Sequence, residues 1–226
     1  MKQQPRVIKS EVQPIALGSV PLIAVTLLPK VLPAWRRRIE RSIFIHTYDT
    51  PNLLNVLSAQ RLEIGVAVGS QQSHGLETAT IMRSPIYCEL PRGHTLSERR
   101  VIRASDLDGV DYVSLSRSEG VQAGIDRVFL AEIVRPNEVM QAPLMAAAVR
   151  MAEEGVGMTL VDVLAMDVAR RDQLIFRRFE PTIYFEYFAV WPRDREADFE
   201  RTELVGSLRK AAETMLEEAE RLVDDR

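Results

Sequence analysis

Between Gln141 and Asp162 the chain reads Gln-Ala-Pro-Leu-Met-Ala-Ala-Ala-Val-Arg-Met-Ala-Glu-Glu-Gly-Val-Gly-Met-Thr-Leu-Val-Asp, a run that fits few structures. Leu144, Ala147, Ala148 and Met151 recur at helical spacing, and Pro143 suits the first turn of a helix. Gly155 supplies the left-handed residue that closes its last turn. Gly157 to Val161 is then a short buried strand with Asp162 at its carboxyl end. In open α/β sheets small ligands lie in the crevice outside the carboxyl ends of the strands. The stretch therefore suggests a ligand sensor.

The same alternation runs along most of the chain and implies α/β architecture, a mostly parallel sheet covered on both faces. Candidate strands span 12–17, 42–48, 62–68, 84–90, 111–115, 138–140, 174–179 and 184–191. The run at 62–68 is apolar throughout its centre and reads as a strand buried on both faces. A helix from about Pro21 to Arg38 is expected to kink at Pro29 and Pro33. Asp49-Thr50-Pro51 opens another that runs to about Gln60, with a capping residue before a proline at the first helical position. Val121, Ile125, Val128 and Phe129 mark one face of a third, and 197–223 is a long amphipathic helix.

Composition removes several classes of function. At 226 residues, 46% apolar and 27% charged, the chain fits one large domain or two small ones. A net charge of −3 gives no reason to expect nucleic acid as its own ligand, and Arg36-Arg37-Arg38 with Arg41 reads as a solvated helix end. Cys88 is the single cysteine, so no intrachain disulfide forms and a reducing cytoplasm is the simplest setting. Its neighbours Ile86, Tyr87 and Leu90 point to a buried structural thiol. The first ten residues lack the apolar core of a signal peptide. Pro29, Lys30 and Pro33 interrupt the apolar run from Val20 to Trp35, which does not read as a membrane span.

No catalytic, metal or cofactor motif emerges, and the chain is not read as an enzyme. His46, His74 and His94 lie in separate segments without metal-ligand spacing, and no serine sits in a G-x-S-x-G turn. Gly155-Val-Gly157 lacks the third glycine of a dinucleotide fingerprint. Adjacent on one helix, Glu153 and Glu154 point different ways and read as solvated rather than as an acid/base pair.

From about Val12 to Leu208 the chain resembles the effector-binding (substrate-binding) domain of LysR-type transcriptional regulators. The resemblance rests on Leu27-Leu28-Pro29-Lys-Val-Leu with Trp35, Leu62-Glu-Ile-Gly-Val-Ala-Val68, Gly75-Leu76, Ile86-Tyr-Cys-Glu-Leu-Pro-Arg-Gly-His-Thr-Leu96, Ala104-Ser-Asp-Leu-Asp-Gly109 and Glu154-Gly-Val-Gly-Met-Thr-Leu-Val161. Leu160-Val-Asp162 and Arg178-Phe-Glu-Pro181 look most like the branch that senses opines and related basic amino-acid derivatives. The family's usual proline after the second helix is missing from 38–43. Its winged helix-turn-helix would precede this region, where only about ten polar residues stand before the first strand. The resemblance thus implies a sensor that contacts DNA only through that absent part.

It also implies a type 2 periplasmic-binding-protein-like fold, two Rossmann-like lobes with a ligand cleft between them. Residues 1–11 would be a polar leader, 12–83 with 194–226 the first lobe, and 84–193 the second. Independently, the carboxyl-end rule points to polar turns after the candidate strands: Ser19, Thr50, the turn from Val66 to Gly69 that includes Val68, Ser116 to Ser118, and Asp162. Ser19 with Val20, and Thr50, precede helices and either hold a carboxylate or act only as caps. Arg117, between Ser116 and Ser118, offers a fork suited to a carboxylate, or is solvated. Asp162 would meet a ligand's amine or guanidinium, or cap the helix that follows, and Gln141 is a further polar candidate.

Two functions fit these readings. The first is the effector-sensing and dimerising domain of a LysR-type regulator, binding a small carboxylate or basic amino-acid derivative. The second is a solute-binding protein of an uptake system, which requires export. The family implies a homodimer, paired through the 21–38 helix, where Val31, Leu32 and Trp35 are either interface or core, and the helix that ends the chain.

Overall fold

The two periodicities in the sequence resolve into two sheets, each with helices packed against it. In a computed structural model, residues 13–69, 75–117, 121–193 and 199–224 are described. The order is β1 (Ile15–Ser19), α1 (Pro21–Val25), α2 (Leu27–Arg36), β2 (Ile43–Thr47), α3 (Thr50–Ser58), β3 (Ile64–Val68) and β4 (Leu76–Pro85). Next come β5 (Tyr87–Pro91), β6 (Val101–Arg103), β7 (Asp111–Leu115), α4 (Val121–Ala131), β8 (Asn137–Ala142), α5 (Met145–Glu153), β9 (Thr159–Val161), α6 (Val163–Val168) and β10 (Leu174–Glu180). β11 (Tyr184–Pro192) and α7 (Phe199–Asp224) complete the chain.

The first sheet has the order β2-β1-β3-β11-β4. β1 runs parallel to β2 and β3, while β11 lies antiparallel to β3 and β4. β3 is buried at all five positions, as its apolar run requires. The second sheet has the order β6-β10-β5-β9, and β7 with β8 extends it through a parallel bridge between Tyr112 and Met158. Gly157 permits that junction: a Cβ there would stand 2.7 Å from the Asp111 carbonyl oxygen. Gly155, at φ 78°, closes α5 as the sequence indicated.

Several expectations are corrected. β11, a segment grouped with the second lobe on the resemblance, pairs with β3 and β4 of the first sheet. The strand expected at 84–90 divides at Pro85, its first part ending β4, which pairs along β11 from Leu76 onward. The break between α1 and α2 falls at Thr26 (φ −116°, ψ −72°) and not at the prolines themselves. A proline clashes with the carbonyl four residues earlier, so Pro29 disrupts the helix at Val25. Asp49, and not Thr50, caps α3, its carboxylate accepting from the Asn52 amide at 2.8 Å.

Ion pairs and hydrogen bonds join the two sheets and their helices. Lys30 of α2 pairs with Asp167 of α6 at 2.9 Å, and the Ser84 hydroxyl accepts from the Val163 amide at 3.2 Å. The helix α7 packs on the first sheet and reaches the second, where the Tyr87 hydroxyl donates to Glu220 at 2.8 Å and Arg178 donates to Asp224 at 2.7 Å. Its buried face is Leu204, Leu208, Ala212, Met215 and Ala219. Val31, Leu32 and Trp35 are core, with the Trp35 indole donating to the Glu200 carbonyl at 3.1 Å. They are therefore closed to a partner. No helix among the described residues is long and apolar enough to cross a membrane.

Candidate functional site: the cleft between the lobes

Helix α1 begins two residues after β1, and α5 begins three residues after β8, so both helices present their first turns beyond strand ends. A crevice with a cavity volume of about 130 Å³ opens between them. Val20, Pro21, Leu22, Val25 and Val68 form its wall in the first lobe. Val121, Leu144, Met145 and Ala146 face them from the second, and Tyr187 of β11 also lines it.

The structure brings some of the residues named from the sequence to this crevice and places others apart from it. Val20 and Val68 line it. The Val20 amide, expected to hold an anion, instead donates to the Val66 carbonyl at 3.1 Å. Ser19 is fully buried, and its hydroxyl has no hydrogen-bond partner. Thr50 lies in the first turn of α3 and donates its hydroxyl to the Val68 carbonyl at 2.9 Å, tying the helix to the end of β3. The Ser116 amide donates to the Ala142 carbonyl at 2.9 Å. Arg117 is exposed and pairs with Asp126 at 3.2 Å, and Gln141 is exposed on β8. Ser118 lies outside the described residues, as does His74.

Asp162 is not at the cleft surface. It is fully buried and caps α6, one oxygen accepting from the Leu164 and Ala165 amides at 3.0 and 3.1 Å. The Tyr187 hydroxyl donates to its other oxygen. Burial pushes the Asp162 carboxyl above the usual carboxylate range, and these hydrogen bonds oppose the rise. The capping alternative thus describes this residue, with an added link to Tyr187.

The sequence reading missed Pro21, Leu22, Val25, Val121, Leu144, Met145, Ala146 and Tyr187. The available signal was the run of apolar residues directly after each strand end, which a search for polar groups passes over. Cys88 is buried, and burial pushes its thiol well up, which suits a structural residue. Among the described residues no three His, Cys, Asp or Glu side chains gather as a metal site would need.

The model of the LysR substrate binding domain matches residues 9–213. The chain belongs to this family. It is 28% identical over 183 residues to the transcriptional activator protein LysR of Escherichia coli, covering 80% of this chain and 58% of that protein. This LysR-family domain therefore spans little more than half of that relative. Among solved structures, the reduced regulatory domain of OxyR from Pseudomonas aeruginosa superposes with a TM-score of 0.76 at 16% identity, covering 89% of this chain and 97% of that one. The regulatory domain of CcmR from Synechocystis, solved in complex with 2-PG, superposes with a TM-score of 0.78 at 10% identity, covering 90% and 99%. These structures have the two-lobe type 2 periplasmic-binding-protein-like fold.

Proposed function

We propose that this chain is the effector-sensing domain of a LysR-type transcription regulator and that its effector is a small molecule held in the crevice between the lobes. The observation that carries the reading is the crevice itself, walled by helix starts of both lobes in a chain of this family. A regulator rather than an uptake protein is favoured because LysR is named as a transcriptional activator. That CcmR was solved with a small molecule supports a ligand for this fold. An effector that binds one arrangement of the lobes better than another shifts their population, and a DNA-binding partner segment would read the shift. On this reading the chain is not an enzyme and acts in the cytoplasm. Titrating the ¹⁵N-labelled protein with a low-molecular-mass cell extract tests it. Saturable shifts are expected at the amides of Val20, Val68 and Leu144 to Ala146. Silence at those amides with every fraction would remove the assignment.

The sensor is also proposed to pair with a second copy, though not through Val31, Leu32 and Trp35. Strand β2 is a sheet edge, and its Phe44 and Ile45 are 57% and 45% exposed. An apolar edge left open invites pairing. Light scattering on the purified chain at micromolar concentration should give twice the mass of one copy, 25.6 kDa. A mass of one copy would refute it.

A further inference from the structure

The chemistry of the cleft wall narrows the class of effector, on the reading that the cleft is the effector site. Of the ten described residues that line it, Tyr187 alone carries a polar side-chain atom. The Tyr187 hydroxyl has already given its one hydrogen to Asp162, which leaves only lone pairs on that oxygen. An ammonium brings three donors and a guanidinium five, so one phenol oxygen cannot satisfy either. Asp162, the acid that sequence suggested for a cationic ligand, is fully buried behind that contact, both of its oxygens engaged. A cation packed against these side chains would give up water for a single side-chain acceptor, which is unfavourable.

An apolar group meets the opposite situation. Val25 on α1 and Leu144 at the start of α5 are 59% and 38% exposed, one on each lobe. Apolar surface left in water is covered favourably by an apolar ligand. The crevice is partly open to solvent, so a polar head can remain hydrated at its mouth.

We infer that the part of the effector packed against these ten described residues is an uncharged apolar group, aryl or branched alkyl, and not an ammonium or guanidinium. Phenylacetate and 4-methylpentanoate serve as probes of that class, and L-arginine and L-lysine as probes of the basic one. The Leu144→Asp variant discriminates further. Leu144 is the N-cap of α5, extended at φ −135° and ψ 145°, with no side-chain cap bond. Aspartate is favoured at such a position, so the variant should fold at least as well as the parent while setting a carboxylate in the wall.

With the ¹⁵N-labelled chain at pH 7, either apolar acid should shift the amides of Val20, Val68 and Met145 saturably. Leu144→Asp should weaken that binding at least tenfold without lowering Tm. Saturation by arginine or lysine with no response to the apolar acids would overturn the inference and leave the sensor reading in place. Unchanged affinity in Leu144→Asp would also overturn it. A response to cell extract without one to the apolar acids has the same meaning, whereas silence with both removes the sensor reading itself.

Discussion

Asp162→Ala is expected to destabilise the protein by about 2–4 kcal/mol, adding a lost helix cap of about 1 kcal/mol to the loss of a buried acceptor for the Tyr187 hydroxyl at about 1–3 kcal/mol. For a chain of this length that corresponds to a fall in Tm of roughly 5–15 °C. The cause lies in three groups that would lose one acceptor together: the amides of Leu164 and Ala165 and the hydroxyl of Tyr187. The link to Tyr187 also joins β11 of the first lobe to the start of α6 in the second, so its loss loosens the lobes as well as the helix. Asp162→Asn keeps an oxygen for the cap and should recover much of the loss. Tyr187→Phe removes the hydroxyl alone and should fall between the two. Urea unfolding of the three variants orders them. If the alanine variant matched the parent in stability, the buried network would not hold as described, and a ligand role for Asp162 would regain its claim.

This residue shows why the fold was more legible than the site. A polar residue at a strand end that also precedes a helix has the same local pattern whether it caps or binds. Only the packing of Tyr187 against it, 25 residues later in the chain, separates the two. Local signals located β7 at Asp111–Leu115, α5 with Gly155 after it, and the buried face of α7, because each of these follows from spacing within one element. The partners of β11 did not follow: its residues read as a strand, but the choice between two sheets depends on long-range pairing with β3 and β4. The first part of β4 was missed since Glu77 and Thr78 to Thr80 face partly outward at a sheet edge and dilute the apolar signal. The cleft wall was missed for a related reason. Apolar residues in a first helical turn look like core until the space beside them is known.

The buried acid Glu89 leads to the second expected result, a pH dependence that Glu89→Met should abolish. Glu89 sits in the middle of β5, between Phe176 of β10 and Thr159 of β9, and both carboxyl oxygens are buried without a hydrogen-bond partner. Burial, with the charge of Glu153 added, pushes its pKa from 4.5 up to about 8, against the opposing pull of Arg150. Between those values the folded protein retains a proton that the unfolded chain has released. Stability therefore falls as pH rises through this window, by on the order of 5 kcal/mol in all.

Two neighbours act elsewhere or cancel. Burial would raise the pKa of Glu153, but hydrogen bonds from the Arg170 amide at 2.7 Å, from Arg150 and from the Arg170 side chain outweigh it and hold the group low. Its contribution is present above the ordinary carboxylate range and is lost in acid. Burial lowers the pKa of His94, whose effect lies toward the acid end and is common to parent and variant. Methionine matches glutamate in length and suits an apolar site. Thermal or urea unfolding at pH 5, 6.5 and 8 should therefore show the variant's advantage growing steadily with pH and reaching several kcal/mol at pH 8. A variant less stable than the parent at pH 8 would mean that Glu89 holds its charge against a compensating partner.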